Sequence, residues 1–264
     1  MQSAGPSEVA DSPAEVAERS SIILTMLPGP PEVREVVAGE RGLLEGAGEG
    51  SLVVDMSTSS PALARDLFLV ARQRGVGMLD APVSGGDVGA IEGTLSIMVG
   101  GSEADFERAK PLFDLMGKTV THVGPTGAGQ VTKAANQIVV ALTIEAASEA
   151  LVLGSKGGVS PEKILDVLGG GLAGNKVMEV KREKFLSHTF DPGGKVAYHR
   201  KDLGIALAAG REYGIVLPVT AVVDQMFRAL MARGWAAGTT RLSSPCSRSG
   251  RGAPSLDGRL NTSS

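Results

Sequence analysis

The segment Gly127-Ala-Gly-Gln-Val-Thr-Lys-Ala-Ala-Asn-Gln-Ile-Val-Val-Ala-Leu-Thr-Ile144 divides this chain into two regions. Its glycines predict a turn, and the apolar run behind them predicts a long helix over residues 130–153. Upstream of the segment, short apolar runs alternate with helical patterns. Downstream, apolar residues recur at helical spacing. The segment therefore marks the junction between two kinds of structure.

Lys133 is the only charged residue of this segment. An ammonium among apolar neighbours costs free energy unless a partner or a reaction uses it. Asn136 lies three residues further on, so the two polar heads share one helix face. Two interpretations stay open. The lysine extends its head to water at the helix edge, or the pair holds and polarises a small oxygenated substrate.

The upstream region has the pattern of an α/β sheet. Strands are predicted at residues 20–27, 51–56, 76–79, 94–99 and 120–123, and helices at residues 32–37 and 62–73. Strands that alternate with helices favour a mostly parallel sheet. After the long helix, further helices are predicted at residues 161–168, 177–185, 202–213 and 218–232. The fold class is thus α/β followed by all-α.

Three regions follow from this pattern. Residues 1–125 are predicted to form the α/β domain, and residues 126–237 a helical domain built on the long interdomain helix. Residues 238–264 are rich in Ser, Gly and Arg, and we expect them to be a disordered tail. Small-molecule sites are common where two such domains meet.

Composition excludes several classes of protein. A net charge of -3 gives no broad electrostatic reason to bind nucleic acid. The single cysteine, Cys246, excludes an internal disulfide and a multi-cysteine metal site, and the three histidines lack metal-ligand spacing. No apolar run is expected to be long enough to span a membrane, and the polar N-terminus does not resemble a signal peptide. We therefore expect a cytoplasmic protein without a membrane partner.

One loop after a predicted strand suits an anion. Asp80-Ala-Pro-Val-Ser84-Gly85-Gly86 offers a hydroxyl and glycines that let a ligand approach backbone N–H groups. Ligands of α/β sheets bind at the carboxyl ends of strands, so a carboxylate is a suitable ligand. A tight turn without a ligand explains the same residues.

Two further patterns have simpler explanations. The run Gly169-Gly-Gly-Leu-Ala-Gly174 matches G-x-G-x-x-G, but it follows a helical segment, so it is predicted to be an interhelical loop. Lys201-Asp202 is predicted to open a helix, where Asp202 would favourably oppose the helix dipole. In the alternative interpretation, Lys201 reaches an anionic cofactor or substrate.

Taken in order, these segments resemble the β-hydroxyacid dehydrogenase family. The resemblance covers residues 15–235 and is closest to the branch that reduces tartronate semialdehyde, with the 3-hydroxyisobutyrate branch next. The matching segments are Thr25-Met-Leu-Pro28, Val54-Asp-Met-Ser-Thr58, Asp80 to Gly86, Gly93-Thr-Leu-Ser-Ile-Met-Val-Gly-Gly101, Gly127 to Gln137, Gly170-Gly-Leu-Ala-Gly174 and Lys201-Asp-Leu203.

The resemblance implies a role for each candidate residue. Lys133 matches the catalytic lysine, which passes a proton to or from the substrate oxygen during hydride transfer. Ser84, Gly85, Gly86 and Asn136 match substrate-binding positions, Leu27, Pro28, Thr58 and Lys201 match positions along the cofactor, and Asp202 matches an orienting position. The implied reaction interconverts D-glycerate and tartronate semialdehyde with NAD or NADP, in a homo-oligomer formed through the helical domain. Leu142, Leu151, Leu153 and Leu168 are the candidate oligomer surface.

The chain departs from the family pattern at both ends, and at the C-terminal end the low-complexity tail from about Gly238 stands where the family is expected to have a closing helix. The family begins with a strand, a G-x-G-x-x-G turn and a second strand, so about 45 residues are expected to be missing here. The loop that cradles the pyrophosphate would be lost, along with the residue that selects NAD or NADP. Loss of a central strand is expected to split the sheet and expose strand edges. A non-catalytic homologue is therefore the alternative to an active dehydrogenase.

Overall fold

The computed structural model describes residues 8–187 and 195–234. Those residues contain six strands: β1 Ile22–Thr25, β2 Leu52–Asp55, β3 Gly77–Asp80, β4 Val83–Ser84, β5 Leu95–Gly100 and β6 Gly117–Gly124. They also contain eleven helices: α1 Pro13–Glu18, α2 Pro30–Ala38, α3 Leu43–Gly46, α4 Pro61–Gln73, α5 Gly86–Glu92, α6 Glu103–Met116, α7 Ala128–Lys156, α8 Pro161–Gly170, α9 Lys176–Ser187, α10 Val196–Glu212 and α11 Pro218–Ala232. The predicted tail, with Cys246, lies outside the described residues.

The six strands form one sheet in the order β1-β2-β3-β5-β4, with β6 paired to β5. Strands β1, β2 and β3 are parallel, and β5 is parallel to β6. Strand β5 runs antiparallel to β3 and to β4. The α/β followed by helical fold class is therefore confirmed, but the sheet is mixed rather than parallel throughout.

The length of one connection explains why β5 runs antiparallel to β4. Only ten residues, 85–94, separate β4 from β5, and they hold the single short helix α5. A parallel crossover needs roughly a dozen residues or more. The chain between β4 and β5 is too short for that path, so β5 returns antiparallel.

The sheet is continuous through the described strands, so the expectation of a split sheet is wrong. Strands β1, β2 and β3 pair residue by residue, with Ile22 opposite Leu52 and Leu52 opposite Gly77. These strands are neighbours in space as well as in sequence, and they need no further strand between them. Among the described strands, β1 pairs only with β2, and its Leu24 is partly exposed.

Alternation along the strands divides the apolar core into two clusters. Strand β2 contributes Val53 to one cluster, while Leu52 and Val54 join the other. Strand β3 likewise contributes Met78 to the first cluster and Leu79 to the second. Because successive side chains of a strand point to opposite faces, each cluster covers one face of the sheet. The sheet is therefore buried on both sides here, as its nearly continuous apolar strands predict.

Serine caps set where several helices begin. Ser60 and Ser160 each precede a proline and accept a hydrogen bond from the third helical N–H group. Ser102 caps α6 by accepting a hydrogen bond from the N–H of Asp105, although the residues of α6 were not predicted to be helical. The sequence signal that could have identified this helix is a serine followed by acidic residues in the first turn.

The described chain divides into two compact units. Of the described residues, one unit contains 8–142 and 195–234, and the other contains 143–187. This division assigns α10 and α11 to the unit that holds the sheet. These units are defined by which residues lie close together, whereas the predicted domain limits were placed where the sequence pattern changes. The domain limits at residues 125 and 237 therefore stay predictions.

The second unit has an apolar cluster of its own, drawn from α7, α8 and α9. Leu151 is buried in this cluster, and Leu168 packs against it. Both leucines were expected on an oligomer surface; that expectation is wrong for Leu151, which is buried within its own unit, and stays a prediction for the partly buried Leu168. Leu142 is partly buried, whereas Leu153 is 77% exposed.

Helix α7 is 29 residues long, and an 18-residue window within it has a mean hydropathy of 1.7. By length and composition it could cross a membrane, so the expectation that no run is long enough is wrong. One such helix is weak evidence, because core helices of globular proteins share these properties. The helix also carries Lys133, Glu145 and Glu149, which are costly in hydrocarbon. A core helix is the better interpretation.

Candidate active site

The buried carboxylate of Asp80 holds the first turn of α7. Asp80 ends β3, and its Oδ1 accepts a hydrogen bond from the N–H of Gly127 at 2.7 Å. Its Oδ2 accepts one from the N–H of Gln130 at 2.8 Å. A carboxylate at a helix N-terminus satisfies N–H groups that lack helical partners and opposes the helix dipole. The helix that carries Lys133 is thereby anchored to the sheet.

Close packing at this anchor requires glycine. A Cβ at Gly129 would lie 2.4 Å from the carbonyl oxygen of Asp80. Gly127 has φ 91°, a conformation that favours glycine. Burial raises the pKa of Asp80 to about 6, and the two backbone N–H groups partly oppose that rise. Gly127-Ala-Gly129 follows β6 and opens a helix, yet Asp80 occupies amides that could otherwise bind a phosphate.

Lys133 lies one turn further along α7, and its side chain is buried, with the residue only 6% exposed. Its Nζ donates to Oε1 of Gln137 at 3.0 Å. Asn136 donates to the same oxygen at 2.8 Å. The lysine head therefore does not extend to water, and the interpretation as a solvated helix edge is wrong. Lys133 and Asn136 share one polar patch through Gln137.

The patch continues from α7 to α10 through Asp202. Gln137 donates from Nε2 to Asp202 Oδ2 at 2.5 Å. Asp202 Oδ1 lies 3.1 Å from Nζ of Lys201. Helix α10 begins at Val196, so Asp202 lies within the helix and does not cap its start. The structural explanation of Asp202 as an N-terminal charge is therefore wrong.

These neighbours set the basicity of Lys133. Burial lowers the pKa of Lys133 to about 8, since an ammonium loses hydration in the interior. The negative charge of Asp202 raises that pKa, and the positive charge of Lys201 lowers it. At pH 7 the amine is still mostly protonated, but it can release its proton under mildly alkaline conditions. This is the property required of a group that exchanges a proton with a substrate.

The loop after β2 meets Lys201. Lys201 Nζ donates to the carbonyl oxygen of Thr58 at 3.0 Å. On either side of Thr58, the Gln130 side chain bonds the carbonyl of Ser57 and the N–H of Ser59. Three backbone groups of this loop are thus held by α7 and α10.

The loop after β1 is tied to the same place. Leu27 donates its N–H to Ser57 Oγ at 2.8 Å, and Thr25 Oγ1 donates to Asp55 Oδ1 at 2.8 Å. Pro28, next in the chain, is exposed. Burial raises the pKa of Asp55, and its hydrogen bonds from Ser57 and Thr25 lower it. The carboxyl ends of β1 and β2 therefore present Leu27, Pro28 and Thr58 at one edge of the sheet.

The loop of Ser84, Gly85 and Gly86 joins β4 to α5. Ser84 pairs with Ser96 of β5, and both glycines have positive φ, 140° and 62°. Both glycines are exposed. Within residues 8–187 and 195–234, no hydrogen bond links this loop to the Lys133 patch. The predicted substrate-binding residues thus form two groups. Asn136 lies beside Lys133, and the loop of Ser84, Gly85 and Gly86 is not bonded to them.

One other sequence pattern is tested directly by the structure. Gly169 and Gly170 are the last two residues of α8, and residues 171–174 lie in the connection to α9, so the prediction of an interhelical loop is confirmed only for residues 171–174. In the described part of the chain, no three His, Cys, Asp or Glu residues are placed to hold a metal ion.

Sequence reasoning missed four residues of this site: Asp55, Asp80, Gln130 and Gln137. All four stand within the quoted motifs, but only three-dimensional proximity shows their partners. Their partners lie up to 73 residues away in sequence. The available signal was a buried polar residue inside an apolar pattern, which predicts a partner without identifying it.

Two known families match the chain in sequence. Residues 2–124 match the NAD binding domain of 6-phosphogluconate dehydrogenase. Residues 127–242 match the family described as NAD-binding of NADP-dependent 3-hydroxyisobutyrate dehydrogenase. Together the two matches cover most of the chain.

Individual relatives agree with these matches. A 2-hydroxy-3-oxopropionate reductase of Escherichia coli K12 is 48% identical over 83% of this chain and 75% of its own length. A probable 3-hydroxyisobutyrate dehydrogenase-like 1 protein of Arabidopsis thaliana is 41% identical over 86% of the chain and 68% of its length. The solved structure of Mycobacterium tuberculosis 3-hydroxyisobutyrate dehydrogenase with L-serine has a TM-score of 0.78 at 32% identity, covering 87% of this chain and 80% of that one.

Asp202 and Lys201 shift the pKa of Lys133 in opposite directions, so variants of the two residues can be compared by titration. We expect Asp202→Asn to lower the pKa of Lys133, because a raising charge is removed. Lys201→Met should raise it, because a repelling charge is removed. NMR titration of the lysine side chain measures both shifts. Lys176→Met, at an exposed lysine, is the control and should leave the titration unchanged. Shifts of the same sign in both variants would contradict the assigned geometry.

Proposed function

Because the chain belongs to the β-hydroxyacid dehydrogenase family, we propose that it interconverts D-glycerate and tartronate semialdehyde with NAD(P). The family consists of NAD(P)-dependent enzymes that act on small hydroxyacids. The observation that carries the finer proposal is the buried ammonium of Lys133 beside Asn136, with a pKa lowered to about 8. A buried amine with such a pKa suits a general acid and base.

Lys133 has the role of the proton carrier in this proposal. In the reductive direction, a hydride reaches the carbonyl carbon, and Lys133 Nζ gives its proton to the carbonyl oxygen. In the oxidative direction, the neutral amine takes the hydroxyl proton as the hydride leaves. The positive charge also stabilises the alkoxide that develops on oxygen. Reduction requires the protonated amine, so its rate should fall as the pH rises through about 8.

The cofactor residues of the proposal are Leu27, Pro28, Thr58 and Lys201. They fit a nicotinamide cofactor, because the carboxyl ends of parallel strands β1 and β2 are where α/β sheets bind such ligands. When bound, the nicotinamide supplies or accepts the hydride. Lys201 holds the Thr58 carbonyl and adds a positive charge at this edge. Within the described residues, no G-x-G-x-x-G turn follows a strand, so no residues are assigned here to the pyrophosphate.

The substrate residues of the proposal are Ser84, Gly85, Gly86 and Asn136. The two glycines are exposed and have positive φ, so a carboxylate can approach their backbone closely. Asn136 adjoins Lys133 through Gln137 and can orient the hydroxyl or carbonyl group. Asp202 acts through Gln137 as an orienting residue, because its carboxylate holds the amide that accepts from Lys133. Each group binds or orients, and Lys133 moves the proton.

The choice of D-glycerate rests on degree of similarity. The reductase relative is 48% identical, against 41% for the plant dehydrogenase-like protein. Activity on 3-hydroxyisobutyrate is the second candidate, because the 3-hydroxyisobutyrate dehydrogenase with L-serine shares the fold at a TM-score of 0.78. A non-catalytic homologue is the third, since the described residues hold no pyrophosphate turn.

We further propose a homo-oligomer in the cytoplasm, formed through the helical part of the chain. Leu153 on α7 and Val167 on α8 are large apolar side chains that lie mostly exposed. Exposed apolar residues that cluster on one surface commonly mark an interface. Neither nucleic acid nor membrane is a partner in this proposal.

The proposed activity is measured with purified chain and a panel of substrates. We expect cofactor-dependent oxidation of D-glycerate that exceeds oxidation of 3-hydroxyisobutyrate, with NAD and NADP tested separately. Binding of NADH and NADPH is titrated in parallel by fluorescence. A folded protein that binds cofactor but prefers 3-hydroxyisobutyrate would support the second candidate. A folded protein that binds neither cofactor would support the non-catalytic one.

Replacing Lys133 tests the proton carrier. We expect Lys133→Met to lower kcat by about 10²- to 10⁴-fold, the usual contribution of a positioned acid or base. Folding should survive, because methionine has a similar length and does not bury a charge. The control is Lys110→Met at an exposed lysine on α6, which should keep its activity. A Lys133→Met enzyme with near-normal kcat would exclude this role.

The oligomer proposal is tested by sedimentation at micromolar concentration. We expect a dimer or larger species, and Leu153→Glu should shift it towards monomer because it places a charge at the interface. Exposed Leu69 on α4 supplies the control variant, Leu69→Glu, which should leave the assembly intact. A monomeric parent protein would refute the proposal.

A further inference from the structure

Gln130 is a buried neutral residue to which neither the sequence patterns nor the proposed chemistry gives a role. It is 0% exposed, in the first turn of α7. Its Oε1 accepts from the N–H of Ser59 at 2.9 Å, and its Nε2 donates to the carbonyl oxygen of Ser57 at 2.8 Å. A single side-chain amide thus bonds the backbone on both sides of Thr58. Both partners are backbone groups, so the contact fixes the path of the loop.

The backbone of Gln130 is itself held. Its N–H donates to Asp80 Oδ2 at 2.8 Å, and Asp80 Oδ1 holds Gly127 in the same turn. Gln130 therefore connects the end of β3, which its backbone N–H contacts, with the loop after β2, which its side chain contacts. A side chain that is bonded at both ends and fully buried has little freedom to adopt another rotamer.

Ser57 passes this connection to the loop after β1. Its N–H donates to Asp55 Oδ1 at 3.1 Å, and its hydroxyl accepts from the N–H of Leu27. Gln130 therefore contacts the loop of Thr58 directly and the loop of Leu27 through one intermediate residue. Both loops lie at the carboxyl ends of adjacent parallel strands.

Lys133 follows Gln130 by three residues on the same helix. At about 1.5 Å of rise per residue, its Cα lies roughly 4.5 Å further along the helix axis. The helix is rigid over such a distance, so whatever fixes Gln130 also fixes the base of the Lys133 side chain. Gln130 thus stands between the proton carrier and the two loops assigned to the cofactor.

We propose that Gln130 is a positioning residue, which sets the distance between Lys133 and the cofactor-facing loops through its two hydrogen bonds to Ser57 and Ser59. This inference rests on the proposed function, because it takes Lys133 as the proton carrier and these loops as the cofactor side. Hydride and proton transfer to one carbonyl group require both donors at correct distances. A displacement of about 1 Å at such a site can reduce the rate roughly 10²-fold.

Gln130→Met is the principal variant. Methionine nearly preserves length and volume, but it leaves the Ser57 carbonyl and the Ser59 N–H without their partner. We expect kcat to fall about 10- to 100-fold, because the two reacting groups lose their alignment. The KM for the hydroxyacid should stay within about threefold, because Ser84 and Asn136 are untouched. A merely structural role would instead reduce the amount of active enzyme and leave kcat per folded molecule unchanged.

Amide hydrogen exchange gives a readout that needs neither cofactor nor turnover. In the unliganded parent protein, the Ser59 N–H is bonded to Gln130 and buried, so we expect slow exchange. In Gln130→Met its exchange should accelerate by at least about tenfold, while amides in the middle of β2 keep their protection. Local loosening at residues 57–59 without global unfolding is the expected pattern.

Two further variants keep the test decisive. Gln130→Glu retains the length and an acceptor for Ser59, and burial favours its neutral form, whose hydroxyl can donate to Ser57. It should recover a substantial part of the kcat that methionine loses, and it carries the test if Gln130→Met fails to fold. Thr132→Val removes a hydrogen bond to Ala128 within the same helix turn and should retain the parent kcat.

The outcomes separate this inference from the proposed function. A parent protein without turnover on any hydroxyacid would count against the function itself. If the parent is active, and Gln130→Met keeps its kcat and its slow Ser59 exchange, the inference is overturned. An equal loss of kcat in Thr132→Val, or no recovery in Gln130→Glu, would also overturn it, because the effect would then be general helix destabilisation.

Discussion

The hydrogen bonds from Asp80 to the first turn of α7 are the constraint on which the rest of the site depends. A buried carboxylate is costly, and here two backbone N–H groups and the positive end of a helix dipole offset the cost. The same contact fixes the direction in which α7 leaves the sheet. Gly129 is required because a side chain there would collide with the backbone of Asp80, and Gly127 is favoured because its φ is 91°.

A continuous polar path starts from that anchor and crosses the apolar interior. It runs from Lys133 through Gln137 and Asp202 to Lys201 and the carbonyl of Thr58. The buried polar groups on this path are held by hydrogen bonds, except that Asp202 Oδ1 has the ion pair with Lys201 and, among the described residues, no hydrogen bond. The path holds two lysines and one carboxylate, so their charges do not cancel. Burial lowers the pKa of Lys133 to about 8, and the negative charge of Asp202 opposes that fall more than the positive charge of Lys201 adds to it.

The arrangement of strands explains how the path reaches the cofactor side. Parallel strands β1, β2 and β3 end at the same edge of the sheet, so the loops of Leu27 and Ser57 lie along that edge with Asp80 although they are far apart in sequence. Leu27 bonds Ser57, Asp80 bonds Gln130 of α7, and Lys201 of α10 bonds the carbonyl of Thr58. The edge is therefore held by hydrogen bonds, while the apolar clusters on both faces hold the sheet.

The sequence by itself determined the fold class, most strand and helix positions and the family, because apolar periodicity and motif order are local properties. It also identified Lys133 and Asn136 as neighbours, since they are three residues apart on a helix. It did not determine the antiparallel return of β5, the helix start at Val196 or the partners of Asp80 and Gln130. Those features depend on contacts between residues distant in sequence, which only the tertiary structure decided. The tertiary structure also decided that Lys133, which could have reached water, is buried and donates to Gln137, whose amide in turn donates to Asp202.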